Sequence, residues 1–246
     1  MTIDVSSPAV TSVINELRVD DLYRFHKTYQ MLSGYTMIPR RLYVSNLKLA
    51  RSAAEVPGAI VECGTWKGGM IAGMARVLGK DRDYFLFDSF AGLPEVEPID
   101  GPAAKAWQTD TSAPIYYDNC TASVDDAVKA MSIAHAPHAT VVKGWFEESL
   151  PKAKFPDGIA LLRMDGDWYK STYQILESLF PAVNENGLIV IDDYHTWDGC
   201  SKAVHDYLSQ HSRPERISTY RDICYIRKRA SGERSDGGMT DPPESG

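Results

Sequence analysis

A doubly wound α/β fold with a mostly parallel sheet is predicted by three features of this 246-residue sequence. Short β-rich runs alternate with helical stretches after Pro57-Gly58. Those runs are apolar throughout, which implies strands covered on both faces. Two of them stop abruptly at acidic pairs, "LLRMDGD" from Leu161 to Asp167 and "GLIVIDD" from Gly187 to Asp193, as buried strands do when they deliver carboxylates to one edge of a sheet.

Taken in order, residues 1–18 open with the small, polar "MTIDVSSPAVTS" and read as a flexible arm. Residues 19–229 form one domain that begins with a helical cap over 19–56. There "VDDLYRFHKTYQML" and "PRRLYVSNLKLARSAAEV" set apolar groups, Leu42, Leu47 and Leu49 among them, at helical spacing, and Pro39 suits a helix start. The alternation follows as strand "AIVEC", helix "MIAGMARVLG", strand "YFLFDSF", helix "SVDDAVKAMSIA", strands "ATVVKGWF" and "IALLRMD", helix "YKSTYQILESLFPAV" and strand "GLIVIDD". "KAVHDYLSQH" is helical, and "RISTY" and "CYIRKR" flank the turn-like Arg221-Asp222 as a C-terminal antiparallel hairpin. Residues 230–246, rich in Gly, Pro, Ser and charge, read as a disordered tail. Residues 91–120 carry prolines and glycines throughout with no sustained period. A connection that long, leaving the strand end that bears Asp88, is expected to be a lid or acceptor loop.

Composition narrows the function classes. A formal net charge of -7 repels a phosphate backbone or an anionic membrane, which points away from nucleic acid and toward a small-molecule partner. No apolar stretch reaches membrane-spanning length and the N-terminus lacks a basic-then-apolar signal, so a cytoplasmic protein is expected. Cys63, Cys120, Cys200 and Cys224 are scattered without a C-x-x-C pair, as in a chain of reduced thiols.

The first strand leads into the turn "CGTWKGGM". A glycine-rich turn between strand and helix lets a ligand approach the backbone, but Gly64, Gly68 and Gly69 do not have the G-x-G-x-x-G spacing of a pyrophosphate cradle. Asp88 closes the next strand, where an acid can accept from both hydroxyls of a ribose. Together they indicate a nucleoside cofactor without phosphates. S-adenosylmethionine fits, with its ammonium available to Glu62; glycine turns and strand-end acids also recur across α/β folds without it. If "IALLRMD" and "GLIVIDD" are sheet neighbours, Asp165, Asp167, Asp192 and Asp193 emerge together and repel unless a cation neutralises them. Oxygen-only donors favour Mg²⁺. The same acids could instead cap the helices that follow.

The motifs "TMIPRRLYVSNL", "VPGAIVECGTWKGG", "FDSFAGLPE", "GWFEESLP", "LRMDGDWYKSTYQILESLFPAVNENGLIVIDDY" and "AVHDY" together resemble the macrocin O-methyltransferase family, from about Thr36 to Tyr207. The resemblance implies a Rossmann-like class I S-adenosylmethionine-dependent methyltransferase that uses Mg²⁺ to methylate sugar hydroxyls. It makes Asp165, Asp192 and Asp193 the metal ligands and Asp167 the general base, and Asp165 takes part in catalysis through the metal. It sets Thr36 and Met37 over the cofactor and Asp88 on the ribose beside Ser89. A homodimer or larger assembly through the N-terminal helices is the family habit. Trp66 and Trp145 beside strand ends could stack on adenine or sugar or simply pack, and Tyr116 and Tyr117 could meet the acceptor. His195 has either an acceptor contact or a local role at a helix start. The expected acceptor is a saccharide or glycoside, such as a methylated mannoside or a glycosylated natural product. Competing functions are a catechol-type O-methyltransferase, a metal-dependent hydrolase and a non-catalytic S-adenosylmethionine-binding module.

Overall fold

Residues 19–229 are described by the computed structural model; the expected arm and tail lie outside them. Two helices come first, α1 (Val19–Leu32) and α2 (Arg40–Arg51), with Pro39 in the N-cap position of α2. The alternation then runs β1 (Ala59–Cys63), α3 (Gly69–Leu78), β2 (Tyr84–Asp88), α4 (Gly101–Thr109), α5 (Val124–Ala134), β3 (Ala139–Lys143), β4 (Ile159–Met164), α6 (Tyr169–Leu179), β5 (Val183–Ile191) and α7 (Asp198–Gln210), before β6 (Ile217–Tyr220) and β7 (Ile223–Arg227).

The seven strands form one sheet in the order β3-β2-β1-β4-β5-β7-β6, parallel except for β7, which runs antiparallel to both β5 and β6. Arg221 and Asp222 join β6 to β7 with positive φ at both residues, the two-residue turn whose twist matches the strands it connects. β1 and β4 are buried at every position, as their mainly apolar runs require, with Glu62 and Arg163 the charged members among them, while the edge strand β3 is only partly covered.

Side chains leave the sheet alternately to two apolar layers. On one face Ile60, Leu86, Leu188 and Tyr225 pack with Phe25 of α1, Leu47 of α2, Met74 of α3 and Met131 of α5. On the other, Val61, Phe87, Leu162 and Ile189 pack with Leu176 of α6 and Val204 of α7. No helix among the described residues is long and apolar enough to cross a membrane.

The 91–120 stretch departs from the irregular loop expected of it, because it contains α4. "GPAAKAWQT" has a proline at the start and three alanines, both favourable to a helix. The flanking prolines and glycines hide that signal.

Candidate active site

β1 lies where the strand order reverses, with β2 on one side and β4 on the other, and in such sheets the crevice over the carboxyl ends is the ligand-binding position. A cavity of about 780 Å³ opens there. Gly64 sits just past β1 with φ +83°, and a Cβ on it would lie 1.8 Å from the Asp165 carbonyl oxygen. The position is glycine because the chains leaving β1 and β4 touch. A Cβ on Gly69 would lie 2.4 Å from the Tyr35 carbonyl oxygen, and one on Gly68 would crowd Ala127. Of the three, Gly64 lines the cavity; Gly68 and Gly69 serve contacts within the protein and are not on its wall.

Thr36, Met37, Glu62, Asp88, Ser89 and Trp145 all line the cavity. Asp88 Oδ2 accepts the Trp66 N–H at 2.8 Å and Oδ1 accepts the Phe90 N–H at 2.7 Å, so this carboxylate fixes the turn after β1. Burial raises its pKa against the pull of those donors. Ser89 Oγ donates to the Gly92 carbonyl at 2.9 Å and accepts the Ala91 N–H at 3.0 Å. Thr36 Oγ1 accepts the Ile38 N–H. Trp66 also lines the cavity, donating from its indole to the Thr121 carbonyl, with Tyr117 edge-on at 6.4 Å. Tyr116 packs on Trp107 and stays off the wall. His195 turns away as well, with Nε2 3.1 Å from Cys224 Sγ.

The pairing of Met164 with Ile191 puts Asp165 and Asp192 side by side at the ends of β4 and β5. One carboxylate oxygen from each of Asp165, Asp167 and Asp193 falls within 4.8 Å of the others. This trio differs from the expected ligand set in one member, since Asp192 stands outside it and Asp167 stands within. The reason is Arg163. Its guanidinium is 1% exposed, and Nη1 donates to Asp165 Oδ2 at 2.7 Å and to Glu62 Oε1 at 3.0 Å, while Nη2 lies 2.5 Å from Asp192 Oδ1. A buried guanidinium needs such compensation, and it draws Asp192 to itself. Asp167 is turned toward Asp193 by a left-handed backbone, φ +54°; its N–H donates to Asp193 Oδ2 at 3.1 Å and its Oδ1 accepts the Trp197 indole N–H at 3.0 Å.

One guanidinium does not balance five acids. Burial, followed by repulsion from Asp165, holds the pKa of Asp167 well above the usual carboxylate range. Burial and then the Asp167 charge do the same to Asp193. Asp192 is pushed up to about 6 by burial, with Arg163 restraining the rise. Glu62 is pushed up to about 8 for the same reasons, and its buried Oε2 has no hydrogen-bond partner. Arg163 escaped the sequence reading, although a charged residue inside the apolar run "IALLRM" is a visible signal of a buried partner.

The 91–120 segment closes one side of the cavity. Trp107 of α4 meets Trp168 at 6.1 Å and Trp197 at 6.0 Å, and these two meet each other at 5.2 Å, all edge-to-face. Asp100 accepts the Glu97 N–H at 2.8 Å and, through Oδ1, the Tyr169 N–H at the start of α6 at 2.7 Å. Tyr117, Asp118, Asn119 and Cys120 are all left-handed, a disfavoured turn held by Asn119, whose side-chain amide donates to the Leu93 carbonyl.

Comparison with known proteins agrees with this architecture. The chain matches the model of the Macrocin-O-methyltransferase (TylF) family over residues 3–228. It is 32% identical over 180 residues to demethyldecarbamoylnovobiocin O-methyltransferase of Streptomyces niveus, covering 70% of this chain and 66% of the relative. It is 35% identical over 175 residues to the 8-demethyl-8-(2,3-dimethoxy-alpha-L-rhamnosyl)-tetracenomycin-C 4'-O-methyltransferase of Streptomyces olivaceus, covering 68% of this chain and 64% of the relative. The matched stretches thus span just under two thirds of these relatives' lengths. Among solved structures, the O-methyltransferase NovP superposes with a TM-score of 0.64 at 29% identity, covering 80% of this chain and 83% of NovP. With the family model matched across nearly the whole sequence, this chain belongs to the macrocin O-methyltransferase family.

Proposed function

We propose that this protein is an S-adenosylmethionine-dependent, Mg²⁺-dependent O-methyltransferase that acts on a sugar hydroxyl of an oligosaccharide or a glycosylated natural product. The observation that carries it is the meeting, in one cavity, of the Asp165, Asp167 and Asp193 carboxylates with the buried, unpartnered Glu62 Oε2. Glu62 Oε2 is an acceptor in want of a donor, which suits the ammonium of S-adenosylmethionine. In this reading Asp88 takes the ribose hydroxyls and the Gly64 turn lies beside the carboxylate of the amino-acid part. At about 780 Å³ the cavity is in the upper part of the ~300–1,000 Å³ range of small-molecule sites, which suits a cofactor with an acceptor beside it.

The acids offer only oxygen, the donor type of a hard divalent cation. Asp165 and Asp193 are common to the trio in the structure and to the set implied by family resemblance. We assign them as the core of the cation site, with Asp192 as the third ligand on leaving Arg163 and Asp167 as the base. Bound there, S-adenosylmethionine would supply the methyl group and the cation would lower the proton affinity of the acceptor hydroxyl. Asp167 takes the hydroxyl proton and passes it to solvent. Its carboxylate is suited to this by the fixed direction that Trp197 and the Asp193 contact impose. Thr36 and Met37 cover the cofactor, and the 91–120 segment excludes water from the acceptor side.

A sugar acceptor is favoured over an aromatic diol by the name of the tetracenomycin relative, which gives 4'-O-methylation of a rhamnosyl-tetracenomycin. Assembly as a homodimer or larger is part of the proposal and is read by light scattering. The deciding experiment is transfer of labelled methyl to a panel of saccharides, glycosides and catechols with Mg²⁺, alongside calorimetry with S-adenosylhomocysteine. Absence of S-adenosylhomocysteine binding would sink the proposal, and preferential labelling of catechols would replace the acceptor class.

A further inference from the structure

Asp167 holds a left-handed backbone, a conformation aspartate adopts more readily than most residues with a side chain. Its carboxylate is fixed by Trp197, whose indole N–H reaches Asp167 Oδ1 at 3.0 Å. An indole has a single N–H fixed in the ring plane, so the angle of the carboxylate follows the angle of the ring. The ring is set in turn by edge-to-face contacts with Trp168 and Trp107, interplanar 67° and 65°. Trp107 belongs to the 91–120 segment. The same segment grips the residues after Asp167 at two more points: the Pro94 carbonyl accepts the Trp168 indole N–H at 3.0 Å, and Asp100 accepts the Tyr169 N–H.

We propose that Trp197 is the positioning residue of Asp167 and that Trp107 sets Trp197, so that seating the 91–120 segment and aiming the base are one mechanical event. The proposal rests on the methyl-transfer function proposed above. It implies that an acceptor which fails to seat the segment meets a misdirected carboxylate, so the tryptophans act as a check on acceptor fit.

The test is a double-mutant cycle with amide hydrogen exchange on the full-length protein. Trp197→Phe keeps a ring but removes the N–H. It should lower kcat by on the order of tenfold to a hundredfold, as small misplacements of a reacting group do, and leave acceptor KM and S-adenosylhomocysteine affinity within about twofold. Trp107→Ala should lower kcat in the same way, Trp107→Phe should recover most of the loss, and the Trp107→Ala/Trp197→Phe double variant should fall no further than the worse single variant. Trp107→Ala should also speed exchange at residues 165–169 together with 91–120. Wild-type kcat in Trp197→Phe, additive losses, or faster exchange confined to 91–120 would each overturn the proposal. If the wild-type protein transfers no methyl group while exchange in the two segments still rises together, the enzymatic function fails and the mechanical link stands.

Discussion

The carboxyl edge of β4 and β5 and the 91–120 segment border the same cavity but are held in place by different means. At the edge, backbone ladders do the positioning: the Asp165 N–H donates to the Cys63 carbonyl and the Asp192 N–H to the Met164 carbonyl, which carries the sheet one residue past its strands. In the segment, side chains do it. Gln108 donates to the Pro94 carbonyl, Asn119 to the Leu93 carbonyl, and Asp100 receives two N–H groups. A ladder fails only if the sheet fails, whereas a side-chain pin can be released alone. On the proposed function, the metal-binding acids at the strand ends stand on the first region, and the second region borders the acceptor side.

That contrast is open to attack at several points. The largest expected effect is removal of divalent cation: excess chelator should abolish turnover and added Mg²⁺ should restore it. Because burial pushes Asp192 up to about 6, and burial with mutual repulsion raises Asp167 and Asp193 above the usual carboxylate range, cation binding should release protons and apparent affinity should increase with pH, as read by calorimetry in buffers of different ionisation enthalpy. Next, Asp167→Asn should depress kcat by about 10²–10⁴-fold, the range of a lost general base, with S-adenosylhomocysteine affinity little changed; full activity would remove it from that role. Arg163→Met leaves three acids without their buried cation and should lower unfolding free energy by about 3–5 kcal/mol in denaturant titrations. A stable Arg163→Met variant would mean that the edge is not the rigid member of the pair. In the segment the effects shrink. Asp100→Ala removes an external cap from α6 and should cost about 0.5–2 kcal/mol, with proteolysis between 91 and 120 accelerated more than elsewhere. Lys170→Ala breaks an exposed pair with Glu97 and should leave the unfolding midpoint unchanged within error.

The same division decides what could be read from the sequence. "AIVEC" coincides with β1, and "VDDLYRFHKTYQML" with α1, because apolar periodicity and burial are local properties of a run. Connectivity permitted the Asp165 and Asp192 strand ends to be neighbours, and the sheet pairs them. Nothing local, however, reveals that Asp192 faces Arg163 while Asp167 faces Asp193, because a side-chain direction depends on partners 26 or more residues away. The glycines after β1 were legible as a tight turn, but their reason was not. Gly69 answers to the Tyr35 carbonyl, which approaches from a different part of the chain. The tryptophan triangle joins positions 107, 168 and 197, which no spacing rule connects.

Arg163 touches Glu62 on one side and Asp165 and Asp192 on the other. On the proposed function, an engineer who retunes the donor end of this cavity for a bulkier alkyl reagent, or its cation end for a different ion, will be altering the load on the same side chain each time. The two specificities are hitched together, and variants that loosen one are best sought in libraries that vary both ends at once.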